Sequence, residues 1–280
     1  MSYFSKELRE IVKEEVALAM KEVIKDLNID ETPFVPNKQQ FDYCGDYNNG
    51  FAKVALNNKW NFIDKEGKLL SNQWFDDSYN FNEGFARVKL NGKWNFINQD
   101  GKLLCDQWFN TCGVFNEGYA RVELNKRWNF TNQEGKLLSD QWFNDCLCFN
   151  EGYARVKLNG KWNYIDKEGN LLCKQWFDEC DAFKEGFACI ELNGKWNYID
   201  KEGRIISDQW FDDCWNFNEG CAMVKLNGKC NFIDKEGKLF SNQWFDDCNG
   251  FKEGLAKVKL NGKWNFIDKG GNLLNIQWNE

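Results

Sequence analysis

Phe85-Ala86-Arg87-Val88-Lys89-Leu90-Asn91-Gly92-Lys93-Trp94-Asn95-Phe96-Ile97 is the stretch on which the fold turns. Ala86, Val88 and Leu90 alternate with Arg87 and Lys89, the period-two pattern of a half-buried strand. Asn91-Gly92 follows and is a strong hairpin signal, because both central positions of the tight turn take positive φ. Lys93 to Ile97 reads as the returning strand, rich in aromatic and β-branched residues. Asn98-Gln99-Asp100-Gly101 predicts a second turn, and Leu103-Leu104 the start of a short third strand. A loop from Gln107 through Gly118 leads to the next copy of the same pattern.

That pattern recurs every 34 residues. Trp74, Trp108, Trp142, Trp176, Trp210, Trp244 and Trp278 are spaced by 34, and Trp60, Trp94, Trp128, Trp162, Trp196 and Trp264 share the period, with Cys230 in the remaining place. Seven units follow without insertion or deletion: 41–74, 75–108, 109–142, 143–176, 177–210, 211–244 and 245–278. Helical tetratricopeptide units have the same period, but strict alternation excludes a helix. Each unit is expected to be a three-stranded antiparallel meander, the runner-up being a two-stranded hairpin plus coil. One unit has too little apolar surface to fold alone, so its aromatics are expected to be core buried against neighbouring units. The expected class is therefore all-β, an open curved solenoid or superhelix. A closed β-propeller is the alternative, although 34 residues are few for a four-stranded blade.

Columns occupied alike in all seven units report what the fold demands. Gly84 and Gly101 and their counterparts read as positive-φ positions. The Gln of the Gln107 column always precedes Trp and is expected to bond a neighbouring unit's backbone, a ladder of ligand-binding amides being the alternative. Asn61, Asn95, Asn129, Asn163, Asn197, Asn231 and Asn265 follow the second Trp series, and a bulge is expected there.

Phe81-Asn82-Glu83-Gly84-Phe85-Ala86-Arg87-Val88, followed by Asn91-Gly92-Lys93-Trp94, resembles the WG-containing repeat of bacterial proteins. The resemblance covers residues 41–278. It departs at one column, where the Gly after Trp is Asn in all seven units. It implies tandem β-repeats without an established activity, and so transfers no functional residue.

Composition narrows the function. Net charge is −7 and the chain contains no His, against 14 Trp, 24 Phe and 8 Tyr. An acidic chain lacks the clustered cations that bind phosphates, so no nucleic-acid partner is expected. Without His, a Ser nucleophile elbow or a phosphate loop, no enzyme, cofactor or catalytic residue is expected. No segment has the roughly 20 apolar residues of a membrane helix. Met1 to Asn28 is charged throughout and lacks a secretory apolar run, so a reducing cytoplasm is expected.

Cys44, Cys112, Cys146, Cys180, Cys214 and Cys248 share a column with Ser78, and Cys105 and Cys173 share another with Ser71, Ser139, Ser207 and Ser241. Single Cys per unit do not make a tetrahedral zinc set, so small-residue packing is expected rather than metal or disulfides. The recurrent acids Asp76, Asp178, Asp212 and Asp246, with Asp77 and its counterparts, are expected to turn loops rather than to bind calcium or catalyse.

Function is sought where the units differ. One dipeptide varies throughout: Gly45-Asp46, Tyr79-Asn80, Gly113-Val114, Leu147-Cys148, Asp181-Ala182, Trp215-Asn216 and Asn249-Gly250. Stacking would align these pairs as a strip, giving Tyr79, Asn80, Val114, Leu147, Asp181, Trp215, Asn216 and Asn249 as candidate binding residues. The expected role is a non-enzymatic scaffold for an unknown protein partner, the alternative a lectin-like array for a glycan. Residues 1–30 read as an amphipathic helix that either caps the array or makes a homo-oligomer, and residues 31–40, with Pro33 and Pro36, as a linker.

Overall fold

The computed structural model describes residues 41–274; the expected N-terminal helix, the linker and the last residues of the seventh unit lie outside the described residues. The chain forms seven separate antiparallel sheets, six of three strands and the last of four, each with strands in chain order. In the second unit the strands are Asp77–Ser78, Phe85–Leu90 and Lys93–Asn98. Phe85 pairs with Asn98 and Leu90 with Lys93, so the hairpin has the register read from the alternation. Asn91 and Gly92 have φ of 50° and 77°, the two positive values that the Asn-Gly turn requires. Among the described residues no barrel closes.

The third strand lies on the other side of the hairpin from its expected place. It is Asp77–Ser78, which pairs with Val88 and Lys89. Leu103 makes only an isolated bridge to Ile97, and the equivalent leucines form a strand only in the seventh unit, at Leu273–Leu274. The edge is shared, Leu104 N–H donating to the Phe96 carbonyl at 2.9 Å. Trp94 on the outer hairpin strand exchanges both backbone hydrogen bonds, at 2.8 Å, with Phe109 of the following unit.

From the second unit on, each core cluster combines one unit's residues with those of the unit before it. Phe96 of the second unit clusters with Phe109, Cys112, Phe115, Ala120 and Val122 of the third. Phe130 of the third does the same with Phe143, Cys146, Phe149, Ala154 and Val156 of the fourth. The expectation of aromatic core holds for the phenylalanines of these clusters. The tryptophans are mostly half-buried around them, Trp162 being buried. Glycine of the Gly101 column has a second duty besides its turn. A Cβ on Gly135 would sit 2.7 Å from the carbonyl oxygen of Leu104 in the preceding unit, so units approach closely there.

Two column expectations are corrected. No bulge occurs at the Asn column: Val88 pairs with Asn95 in unbroken register. Asn95 is instead fully buried, its Nδ2 donating to the carbonyls of Cys105 and Gln107 at 2.8 and 3.3 Å and its Oδ1 accepting from Phe96 N–H at 2.7 Å. An amide serves here because the loop's carbonyls need donors where water cannot reach. Among the described residues the Gln side chains of this column do not bond a neighbouring unit either. Gln107 and Gln175 are exposed and each donates to the carbonyl of the next residue at 2.8 Å. The loop turns the Gln side chain to solvent, and it is the Gln backbone carbonyl that is tied down.

Candidate binding strip and the joints between units

The variable dipeptide lies on the edge strand just after the Cys column, and its first residue donates its N–H to the hairpin at Tyr79 and Trp215, at 2.9 and 3.0 Å. In the first and third units the register slips between Cys44 and Tyr47 and between Cys112 and Phe115, so Gly45-Asp46 and Gly113-Val114 are bulged. Bulged residues are released from pairing, which lets side chains differ without cost to the sheet. Tyr79, Val114 and Trp215 are 47, 45 and 40% exposed, large apolar side chains in solvent. Asn80, Asn216 and Asn249 are exposed, whereas Leu147 and Asp181 are half-buried and Leu147 packs on the core between units four and five. Among the described residues no hydrogen bond or aromatic pair joins any of these eight side chains to another of them; they share a column rather than a pocket.

In the fifth and sixth units the column's backbone is anchored by the preceding unit. Tyr164 Oη donates to the carbonyl of Asp181 at 2.7 Å, and Tyr198 Oη to that of Trp215 at 2.9 Å. Tyr79 is braced from its own unit, packing 5.5 Å from Trp94 with the Arg87 guanidinium 3.9 Å over its ring. Arg87 also reaches forward to the carbonyl of Cys112 in the third unit at 3.0 Å, and Arg121 and Arg155 repeat the contact at 2.6 and 2.7 Å.

A second set of side chains, not singled out from the sequence, clasps unit to unit. Glu185 Oε1 and Oε2 accept from the backbone N–H groups of Glu219 and Gly220 at 2.8 and 2.9 Å. Glu83, Glu117, Glu151 and Glu219 act likewise on the following units. A lysine of the following unit closes each clasp from Glu117 onward, as in Lys201 to Glu151 at 3.2 Å. Glu219 is held below the usual carboxylate range by the N–H groups of Gly254 and Glu253 and then by Lys269. The signal was available: Glu precedes Gly in six of seven units, with Asn49 in the first.

The acidic column turns loops, as expected. Asp76 accepts from Asn91 N–H at 2.6 Å, capping the hairpin turn, and pairs with Lys59 of the preceding unit. The Lys59 hydrogen bond lowers its pKa. Among the described residues no cluster of three Cys, Asp or Glu side chains is placed to hold a metal.

Cys112, Cys146, Cys180 and Cys214 are buried at the joints, as packing requires. Desolvation pushes the Cys112 and Cys180 thiols up to about 12, leaving them protonated and unreactive at neutral pH. Cys44, in the first unit, is exposed. The packing expectation is corrected at one joint, where Cys248 is disulfide-bonded to Cys230 with Cα atoms 6.1 Å apart. Cys230 stands where the other units carry Trp, which opens room for its sulfur against the next unit's Cys column.

A family model described as "WG containing repeat" matches residues 40–60, 62–94, 96–128, 132–162, 164–196, 198–230 and 232–264. No curated protein matches the chain. Solved structures resembling it include Kluyveromyces lactis Hsv2p, 9% identical over 80% of this chain and 92% of that one, with a TM-score of 0.35. Apo AztD from Citrobacter koseri is 11% identical over 71% of each chain, with a TM-score of 0.37. A protein of unknown function from Bacteroides caccae is 15% identical over 68% of this chain and 90% of its own, with a TM-score of 0.23. At these values the likenesses carry no argument about fold closure or function.

Proposed function

This chain belongs to the WG containing repeat family, and on that premise we propose that it is a non-enzymatic scaffold whose bulged strip binds a protein partner. The observation that carries the reading is the exposure of Tyr79, Val114 and Trp215 on a column whose backbone is held in place. Large apolar groups cost little to desolvate and dominate interface energies when they meet a partner. The array is read as open and curved. In support, among the described residues no hydrogen bond, ion pair or aromatic contact joins the first and seventh units. The reading includes no nucleic-acid partner and no membrane: among the described residues no helix is long and apolar enough to cross a bilayer. A cytoplasmic location belongs to the same proposal, supported by ten free cysteines beside one disulfide.

The test is affinity capture on immobilised full-length chain, against the double variant Tyr79→Ser and Trp215→Ser. A specific protein retained by the wild type and lost by the variant, with unchanged thermal midpoint, is expected. Equal retention by both overturns the strip. Reproducible binding on a glycan array, lost in the same variant, replaces the protein partner with a carbohydrate.

A further inference from the structure

We propose that the outer face of the seventh unit docks the first unit of a second copy of this chain, head to tail, by the contacts that join neighbouring units within one chain. The joint has a repeated recipe. A ring from the leading edge of each unit, such as Phe149, packs 4.9 Å from Tyr119 and 5.0 Å from Phe130 of the unit before. A Glu clasps the next unit's turn and lysine, and a Lys pairs with the next unit's Asp, as Lys229 does with Asp246 at 3.0 Å. A Lys or Arg donates to the next unit's Cys-column carbonyl, as Lys53 does to Ser78 at 2.6 Å.

Among the described residues the two ends of the array carry the two halves of this recipe without a partner unit, Tyr47 Oη reaching only the Asp64 carbonyl of its own unit at 3.0 Å. At the seventh unit, Leu255 and Phe266 stand where Tyr119 and Phe130 stand, Leu255 being 37% exposed and Phe266 half-buried. Glu253 and Lys263 are exposed in the clasping and pairing positions. A recess of about 490 Å³ lies among Glu253, Leu255, Lys257 and Phe266. At the first unit, Tyr47 occupies the place of Phe149 and is 48% exposed, with Asn49-Gly50, Lys65 and Asp42 exposed beside it. The first core cluster buries Ala52, Val54 and Ile63 with Phe41, Leu69 and Trp74 of the same unit packed against it, and among the described residues no ring from a preceding unit joins it. Tyr47 fits the seventh unit's recess, Phe266 supplies the missing ring, and Glu253 meets the Asn49-Gly50 turn and Lys65. The two faces differ, so the contact is heterologous and does not close on itself as a dimer.

Light scattering of the full chain over a concentration series is the test. Average mass is expected to rise with concentration without settling at one value. Tyr47→Arg and Leu255→Arg, both at exposed positions, are each expected to weaken association at least tenfold. Glu253→Lys and Lys65→Glu each weaken it, and the double variant recovers it in part. A monomer at all concentrations overturns the proposal; if cross-links then join the first and seventh units within one chain, the same faces close a ring. Association that survives both arginine variants also overturns it and assigns the contact to residues 1–40. None of these variants touches Tyr79 or Trp215, so failure here leaves the binding strip standing.

Discussion

Glu219 and Gly254 lie 35 residues apart and are joined by a 2.9 Å hydrogen bond, the carboxylate Oε2 accepting from the turn's N–H. Oε1 takes the adjacent Glu253 N–H at 2.8 Å. Each such clasp satisfies turn donors of one unit with the charge of another, so the unit boundary is polar at its rim and apolar at its centre.

Acid should open these boundaries. Glu219, Glu151, Asp76, Asp178, Asp212 and Asp246 all have pKa values lowered in the folded chain. The unfolded chain therefore binds more protons as pH falls, and stability falls with it. The contribution is complete above the ordinary carboxylate range near ~4 and is lost below it. A thermal midpoint that is flat from neutral pH to about 5 and then drops is expected by circular dichroism. Glu219→Gln should make the drop shallower.

Asn163→Ala should destabilise the fold by about 2–3 kcal/mol, because it orphans buried backbone groups. The side chain donates to Cys173 and Gln175 carbonyls at 2.9 and 3.0 Å and accepts from Tyr164 N–H at 2.7 Å. Urea titration measures the loss. A change under about 0.5 kcal/mol would show that the loop does not need this staple.

Gly169→Ala and Gly152→Ala separate close approach from backbone strain. Both have positive φ, at 87° and 91°, but only at Gly169 would a Cβ meet a neighbour, 2.5 Å from the Leu138 carbonyl oxygen. Gly152→Ala should cost about 1 kcal/mol from strain alone, and Gly169→Ala clearly more. Equal urea midpoints for the two variants would contradict the unit-to-unit role.

Ser78→Cys should stabilise the protein by about 1 kcal/mol. The Ser78 hydroxyl is buried, 1% exposed, and Oγ has no hydrogen-bond partner. A thiol fills the same space with less desolvation cost, which is the physical reason for Cys in the other units. An unchanged or lower midpoint in urea counts against that account.

Alkylation should sort the thiols. Under native conditions Cys44 and Cys148 label first, and Cys112, Cys146, Cys180, Cys189, Cys214 and Cys221 only on unfolding. Non-reducing peptide mapping should recover Cys230 linked to Cys248. The intact link closes an 18-residue loop in the unfolded chain, so breaking it is expected to cost about 3 kcal/mol.

The hairpins were legible because period-two alternation and Asn-Gly turns act over a few residues. The position of the third strand was not. Leu103-Leu104 has strand composition, but it meets the hairpin only at an isolated bridge, and the same edge goes on at Trp94 to Phe109 of the next unit, a relation beyond the reach of local pattern. The Asn column misled for the same reason: Asn95 answers carbonyls 10 and 12 residues downstream. The strip residues were located by their variation, and the structure adds that the column is bulged in the first and third units and that Leu147 and Asp181 are partly covered.

Repetition, alternation and turn chemistry are local or periodic, so the sequence alone determined seven β-units, their length and the hairpin register. What fills the space between units was decided by tertiary structure. Burial between units, the Glu clasps and the Cys230–Cys248 link are relations between residues of different units. They exist only once stacking sets which edge of one unit meets which edge of the next.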